Sequence, residues 1–226
     1  MPQSPHAPIR SAAEWSAYLH ALCRPVLDPI PFGEDDDKKA AYVRTFRDEF
    51  GARGAGPVCL LAWSLGVRAD TSGFDDDPDT RLWASLVEQG STHTEPSGEF
   101  ETGLVAAEAY AIEHRTLIEL SALHALTHLI TPPEDAFLSD RLTRLVDWHT
   151  RELQPDNGIN RPWGIHAFIA RSIEVHGVDD AHALDAMLHA QTLAHNCCVT
   201  LGSPDLVSAL ILLDAARWID ARRSSS

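Results

Sequence analysis

Ten segments of helical length follow one another along this chain, and turns rich in Pro, Gly and Asp separate most of them. Apolar residues recur at helical spacing within the segments, and no run shows the alternation that a half-buried strand requires. The sequence therefore predicts an all-α fold of about ten helices packed as antiparallel α/α hairpins. The predicted helices are residues 11–23, 38–50, 55–67, 79–90, 101–112, 113–130, 136–153, 162–176, 180–200 and 205–222.

The composition bounds the organisation of the chain and its partners. A length of 226 residues, 44% of them hydrophobic, suffices for one large core. We expect a disordered arm over 1–10, a single all-α domain over 11–222 and a tail over 223–226. The formal net charge of −15 repels phosphate backbones and anionic lipids. We therefore expect no nucleic-acid or membrane binding, but a small-molecule or protein partner. The oligomeric state stays open.

The cysteines favour a cytoplasmic location. Cys197 and Cys198 are adjacent on a predicted helix, where side chains diverge by about 100°, so no disulfide or zinc knuckle follows from their spacing. Cys23 and Cys59 show no such pattern either. The first ten residues lack the apolar segment of a signal peptide.

The loop within residues 153–168 is the densest candidate for ligand binding. Arg161 and the helix start at Pro162 could together bind a carboxylate or phosphate, because free N–H groups at a helix N-terminus attract anions. Trp163 is either a substrate platform or a packing anchor. His166, about one turn into the helix, is a candidate acid–base residue facing the same space. Predicted ligand contacts here are Asn157, Asn160, Arg161 and Trp163.

His124 and His128 form an i, i+4 pair on one face of the helix predicted at 113–130. This spacing can place two imidazoles on one divalent metal ion. The alternative is a pair of core histidines, each hydrogen-bonded to a carbonyl or a carboxylate. Arg115 and Glu119 lie on the opposite face, which we expect to meet water.

A polar but nearly uncharged stripe runs along the helix predicted at 180–200. Since surface helices usually carry Lys, Arg or Glu, this stripe could face an internal lumen, although a moderately exposed face fits as well. Asp185 lies one turn from His189 and could raise its basicity, as a general base requires. His182 and Asn196 are predicted ligand contacts. The stripe comprises His182, Asp185, His189, Thr192 and Asn196.

One short motif resembles a known family. The Gln154-x-x-x-Gly158 turn with Trp163 nearby is similar to the Gln–Trp turn of α/α-toroid proteins, such as terpenoid cyclases and protein prenyltransferases. The resemblance implies an open or partial toroid-like array of hairpins. The Asp-x-Asp-Asp acid of class II cyclases is missing. Asp75-Asp76-x-x-Asp79 matches the magnesium–diphosphate motif of class I terpene synthases, but the second metal motif of that family is missing, and we favour a solvated, helix-capping loop.

Two functional hypotheses of different class follow. The first is a small-molecule enzyme or ligand-binding protein with a His/Asn-lined cavity between helical hairpins, performing acid–base or metal-assisted chemistry. The second is a non-catalytic, acidic helical-hairpin module that binds a protein partner. The predicted cavity is lined by His124, His128, His182, His189 and residues 156–166.

Overall fold

The computed structural model describes residues 8–75, 77–89, 104, 112–130, 138–153, 160–173 and 180–225. Every regular element in these ranges is helical, which confirms the all-α prediction. A short 3₁₀ turn, Arg24–Val26, follows the first helix, and one π-helical turn, His149–Leu153, follows the sixth. The α-helices are α1 Ala12–Cys23, α2 Asp36–Thr45, α3 Ala55–Leu65, α4 Pro78–Gln89, α5 Ile112–Leu129, α6 Asp140–Trp148, α7 Ile165–Ile173, α8 Ala181–Val199 and α9 Leu206–Ser225.

Side-chain caps fix where several of these helices begin. At α1, Ser11 Oγ accepts the backbone N–H of Glu14, and the Glu14 carboxylate accepts the backbone N–H of Ser11. This reciprocal capping box satisfies two N–H groups that the helix itself cannot pair. Asp35, Ser139 and Asp180 cap α2, α6 and α8 through their side-chain oxygens.

Several helices differ in extent from their predicted ranges, α2 and α7 among them. Helix α2 ends at Thr45 because Phe46 turns into an extended conformation and its side chain is buried. The Arg53 guanidinium donates to the backbone carbonyls of Val43 and Phe46. These two carbonyls therefore have hydrogen-bond partners although the helix ends earlier than predicted. Helix α7 begins at Ile165, three residues after the predicted start. The helix predicted at 101–112 lies almost wholly outside the described residues.

Helix α5 packs against α4 and α7 and is buried on all sides along its central turns. The prediction that Glu119 faces water is therefore wrong, because its side chain is fully buried. Glu119 Oε2 accepts the backbone N–H of Leu104 at 2.7 Å. The same oxygen lies 3.3 Å from Nε2 of the equally buried His149. A central helix thus holds a buried carboxyl group on the face where the sequence suggested solvent.

The last helix closes the architecture against the first. Helix α9 packs along α1 and also touches α3 and α7, while α8 packs on α7. The low charge of residues 175–216 fits α9, which is buried along most of its length. It does not fit α8, whose outer face exposes Leu184 and Leu188. None of the described helices combines the length and apolarity needed to cross a membrane.

Gly56 marks the closest approach of α3 to the core. A Cβ at this position would lie 2.9 Å from Ser121 Oγ, 3.3 Å from Trp83 Nε1 and 3.4 Å from Trp163 Cη2. Alanine favours a helix over glycine by about 0.5–1 kcal/mol, but overpacking a core costs about 1–3 kcal/mol. We expect Gly56→Ala to lower the free energy of unfolding by about 1 kcal/mol, measured by urea denaturation.

The matched control is Gly73→Ala, since no heavy atom lies within 4 Å of a Cβ placed there. Its free energy of unfolding should stay within about 0.5 kcal/mol of the wild type. If both variants proved equally stable, the close approach at Gly56 would be contradicted.

Candidate metal centre

Three histidines from two helices converge in the core. His124 and His128 lie one turn apart on α5, and His166 lies in the first turn of α7. One ligand nitrogen from each of the three lies within 4.8 Å of the others. The ring centroid of His166 is 4.2 Å from that of His124 and 5.1 Å from that of His128. The i, i+4 pair predicted from the sequence therefore gains a third imidazole from the loop region.

A carboxylate from a third helix completes the cluster. Asp214 Oδ2, on α9, lies 2.9 Å from Nε2 of His124 and 2.6 Å from Nε2 of His128. Burial opposes ionisation of Asp214, but the charge of His128 and the hydrogen bonds from both imidazoles outweigh it and hold its pKa well below the ordinary value. Asp214 is therefore a buried anion that joins α9 to α5.

The tautomer of His124 follows from its second hydrogen bond. The backbone N–H of Gly164 donates to His124 Nδ1 at 3.2 Å. An N–H group can only donate, so Nδ1 carries the lone pair and Nε2 carries the proton that points at Asp214. Gly164 has φ +71, and a Cβ there would lie 3.2 Å from Leu123 Cδ2. A glycine is thus needed for the backbone to reach the imidazole.

His166 is the unpaired member of the cluster. It is fully buried, and neither Nδ1 nor Nε2 has a hydrogen-bond partner among the described residues. Burial lowers its pKa well below the ordinary value, and the proximity of the His124 and His128 imidazoles acts in the same direction. His166 is therefore neutral near neutral pH, with a free nitrogen lone pair. A buried polar ring that finds no partner among the described residues is costly and calls for an explanation.

Four tryptophans enclose the histidines. Trp83 stacks on His124 with a centroid distance of 5.6 Å, and Trp163 meets the same ring edge-on at 5.4 Å. Trp63 contacts His128, and Trp218 contacts His166. Such an apolar shell controls solvent access and strengthens electrostatic interactions inside it. Of the two roles predicted for Trp163, its burial at 2% exposure favours the packing anchor.

A pocket of about 290 Å³ shares Trp163 with the histidine cluster. Asp75 and Asp79 of the predicted Asp-Asp-x-x-Asp motif line it, whereas Asp76 lies outside the described residues. Burial raises the pKa of Asp79, although a hydrogen bond from Ser121 partly offsets this effect. The same Ser121 Oγ accepts the indole N–H of Trp83 at 3.0 Å. Side chains that touch the histidines thus also border an open space.

The loop residues do not all reach the cluster. Arg161 Nη2 donates to Asp48 Oδ2 at 2.8 Å and to Glu49 Oε1 at 2.9 Å, so carboxylates of the chain itself occupy this edge of its guanidinium. Arg161 still lines the pocket. Asn160 is exposed, and Asn157 lies outside the described residues.

The stripe on α8 lies away from the histidines. His182 and Asp185 are exposed and His189 is half-buried, so of the two interpretations of this stripe the moderately exposed face fits and the internal lumen does not. His189 Nδ1 bonds the backbone oxygen of Asp185 at 3.0 Å, because a helical imidazole reaches the carbonyl one turn earlier. The sequence predicted a bond from His189 to the Asp185 carboxylate, but His189 bonds the Asp185 backbone oxygen instead. Asn196 is half-buried on the same helix.

Sequence reasoning missed Asp214. The signal was available, because Asp214 is the one charge within residues 206–216, in a segment otherwise made of apolar and small residues. A carboxylate in such a helix must find a buried partner, since an isolated buried charge is too costly. Nothing in the local sequence indicated that the partners would be two histidines on a different helix.

The neutral state of His166 predicts how stability depends on pH. The folded protein holds its pKa well below the ordinary value, so the unfolded chain binds a proton near pH 6.5 that the folded chain does not. Stability is therefore lost as the pH falls below this value, by up to about 1.4 kcal/mol per pH unit for each such group. In urea denaturation with a chelator, His166→Gln should show a shallower decline than the wild type.

His182→Gln is the matched control, because His182 is exposed and bonded only through its backbone N–H to the Asp180 cap. It should keep the wild-type dependence on pH. If the His166→Gln and wild-type profiles were parallel between about pH 7 and pH 5, the neutral buried imidazole would be refuted.

Comparison with known proteins adds no relative to this description. We find no family model that matches the chain, and no curated protein or solved structure that is similar to it. The resemblance to α/α-toroid proteins stays a prediction, and function must be argued from the geometry of the histidine cluster.

Proposed function

We propose that the protein binds one divalent transition-metal ion at the cluster of His124, His128, His166 and Asp214, and uses it in metal-assisted chemistry on a small molecule. The observation that carries this proposal is the convergence of three imidazoles within 4.8 Å, one of them buried with both nitrogens unpaired. Imidazole nitrogens and a carboxylate oxygen are a donor set that zinc and neighbouring late transition metals favour.

The charges in the cluster support the same proposal. Metal ligands must be deprotonated, and burial lowers the pKa of both His124 and His166. The low pKa of Asp214 keeps it anionic. A divalent cation would supply the positive charge that this carboxylate needs in an apolar surrounding.

The neighbouring pocket is the proposed place for the small molecule. It has room for a compact organic ligand, and Arg161 and Trp163, both predicted ligand contacts, line it. Trp163 touches His124 on one side and the pocket on the other. A small molecule bound in the pocket could therefore affect the histidine cluster through the side chain of Trp163.

A second candidate is acid–base chemistry without a metal, and the hydrogen bond from Gly164 to His124 Nδ1 favours it. If His124 bound a metal through Nε2, its proton would move to Nδ1 and face the Gly164 N–H group. Metal binding therefore requires this contact to open. Without a metal, Asp214 orients both imidazoles of α5, as a carboxylate does for a general base.

Metal content tests the first candidate. We expect the wild type, equilibrated with Zn²⁺ and then desalted, to retain one ion per chain by inductively coupled plasma mass spectrometry. His166→Ala should lose this ion because it removes a ligand. Asp214→Asn should weaken binding by about 10–100-fold or more, since it removes a group bonded to two of the histidines. His182→Ala should bind as the wild type does.

Circular dichroism shows whether each variant is folded, so that loss of the ion is not mistaken for loss of structure. Nitrogen-15 spectra of the imidazoles then distinguish the two candidates. If no ion is retained and the Nε2–H tautomer of His124 persists with Zn²⁺ present, the metal proposal fails and acid–base chemistry is favoured.

A further inference from the structure

Cys197 and Cys198, in the last turn of α8, bring their sulfur atoms together. Their Sγ atoms lie 3.8 Å apart, and both sulfurs lie over the carbonyl oxygen of Ala194, at 3.2 Å and 3.6 Å. The sequence predicted that adjacent side chains on a helix would diverge. The structure corrects this, because both thiols turn toward the same carbonyl of the preceding turn.

We propose that Cys197 and Cys198 form a dithiol site that chelates one thiophilic ion, either a trivalent arsenical or a soft cation such as Cd²⁺. Thiolates select soft metals over hard ones. Two thiolates on one tetrahedral zinc ion, each about 2.3 Å from it, lie about 3.8 Å apart, and other thiophilic ions need the two sulfurs at a comparable separation. The observed separation of the sulfurs therefore suits chelation with little rearrangement. A disulfide would instead require them to approach to about 2.05 Å.

The two thiols are accessible from solvent on the side of Cys198, and their pKa values are shifted in opposite directions. Cys198 is half-buried, while Val199 and Leu201 beside it are 64% and 69% exposed. A hydrogen bond from Cys197 lowers the pKa of Cys198, and the same bond raises the pKa of Cys197, with burial adding to that increase. The first proton therefore leaves from the more accessible sulfur, where an incoming ion would bind first.

Binding of either kind of ion by the two thiols requires no oxidant. With an organic arsenoxide, two S–H bonds break and two As–S bonds form. The oxygen leaves as water with both protons, and arsenic stays trivalent. With Cd²⁺, the two thiol protons pass to the solvent.

The other two cysteines provide internal controls. Cys23 and Cys59 are fully buried. Burial is the main cause that raises the pKa of Cys23 to about 11 and that of Cys59 to about 12. Both are thus poor nucleophiles in the folded chain.

The experiment is intact-mass spectrometry of the native protein treated with one equivalent of phenylarsine oxide. We expect one adduct per chain in the wild type. Cys197→Ser and Cys198→Ser should each bind about 100-fold more weakly or worse, because a single thiol loses the advantage of chelation. Cys59→Ser should behave as the wild type does. If either single variant at 197 or 198 kept wild-type affinity, or if the wild type formed no adduct, the site would be refuted.

A second arm uses Cd²⁺ and follows the ultraviolet sulfur-to-cadmium charge-transfer band. It is done in the His166→Ala background, so that the histidine cluster does not compete for the ion. A band that persists in this background and disappears on adding Cys198→Ser supports the site. Its absence would exclude the soft-cation form, and the result stands whether or not the histidines bind a metal.

Discussion

The pairing of one buried carboxylate organises the centre of this molecule. Asp214 lies in the middle of an apolar helix, where an unpaired charge would be prohibitively costly. Its Oδ2 atom meets two imidazoles of α5, which join the last helix to the most central one. His124 extends this hydrogen-bond network to a third helix, because its Nδ1 atom accepts the Gly164 N–H at the start of α7. Three helices are thus fixed relative to one another by hydrogen bonds to one side chain and its partner.

Helix α5 carries a second buried carboxylate, and the two differ in what they can do. Glu119 faces His149, whose Nδ1–H donates to the Leu145 carbonyl at 2.7 Å, and no third possible metal ligand groups with them among the described residues. This pair uses its groups for structure, and breaking such a buried pair costs about 3–5 kcal/mol. Around Asp214, by contrast, a third imidazole stands unpaired. This third imidazole, rather than burial or charge alone, is why we place the proposed metal site beside Asp214 and not beside Glu119.

The sequence predicted what depends on local pattern and missed what depends on packing. Periodicity and turns were enough for the helical class, and the i, i+4 spacing was enough to single out His124 and His128. His166 was predicted as a site residue because it follows a polar loop. It lies in the core instead, beside His124 and His128, which no local sequence pattern connects to it. Of the two interpretations left open for the α8 stripe, the exposed face fits, because the outer face of α8 exposes leucines as well and a lack of charge therefore does not indicate burial. Glu119 and Asp214 depend on which helix is central, and this follows only from the full packing.

Under the proposed function, the same four groups would hold either protons or a metal ion, and the turn at Gly164 would separate the two states. In the hydrogen-bonded state, the Gly164 N–H requires a lone pair on His124 Nδ1, which leaves the proton on Nε2. A metal on Nε2 reverses this arrangement and turns an attraction at Nδ1 into a repulsion between two N–H groups. The turn that would have to move also carries Arg161, which bonds Asp48 and Glu49, and Trp163, which lines the pocket. Under this proposal, binding at the cluster and the shape of the pocket would be linked through one short stretch of backbone, residues 161–164.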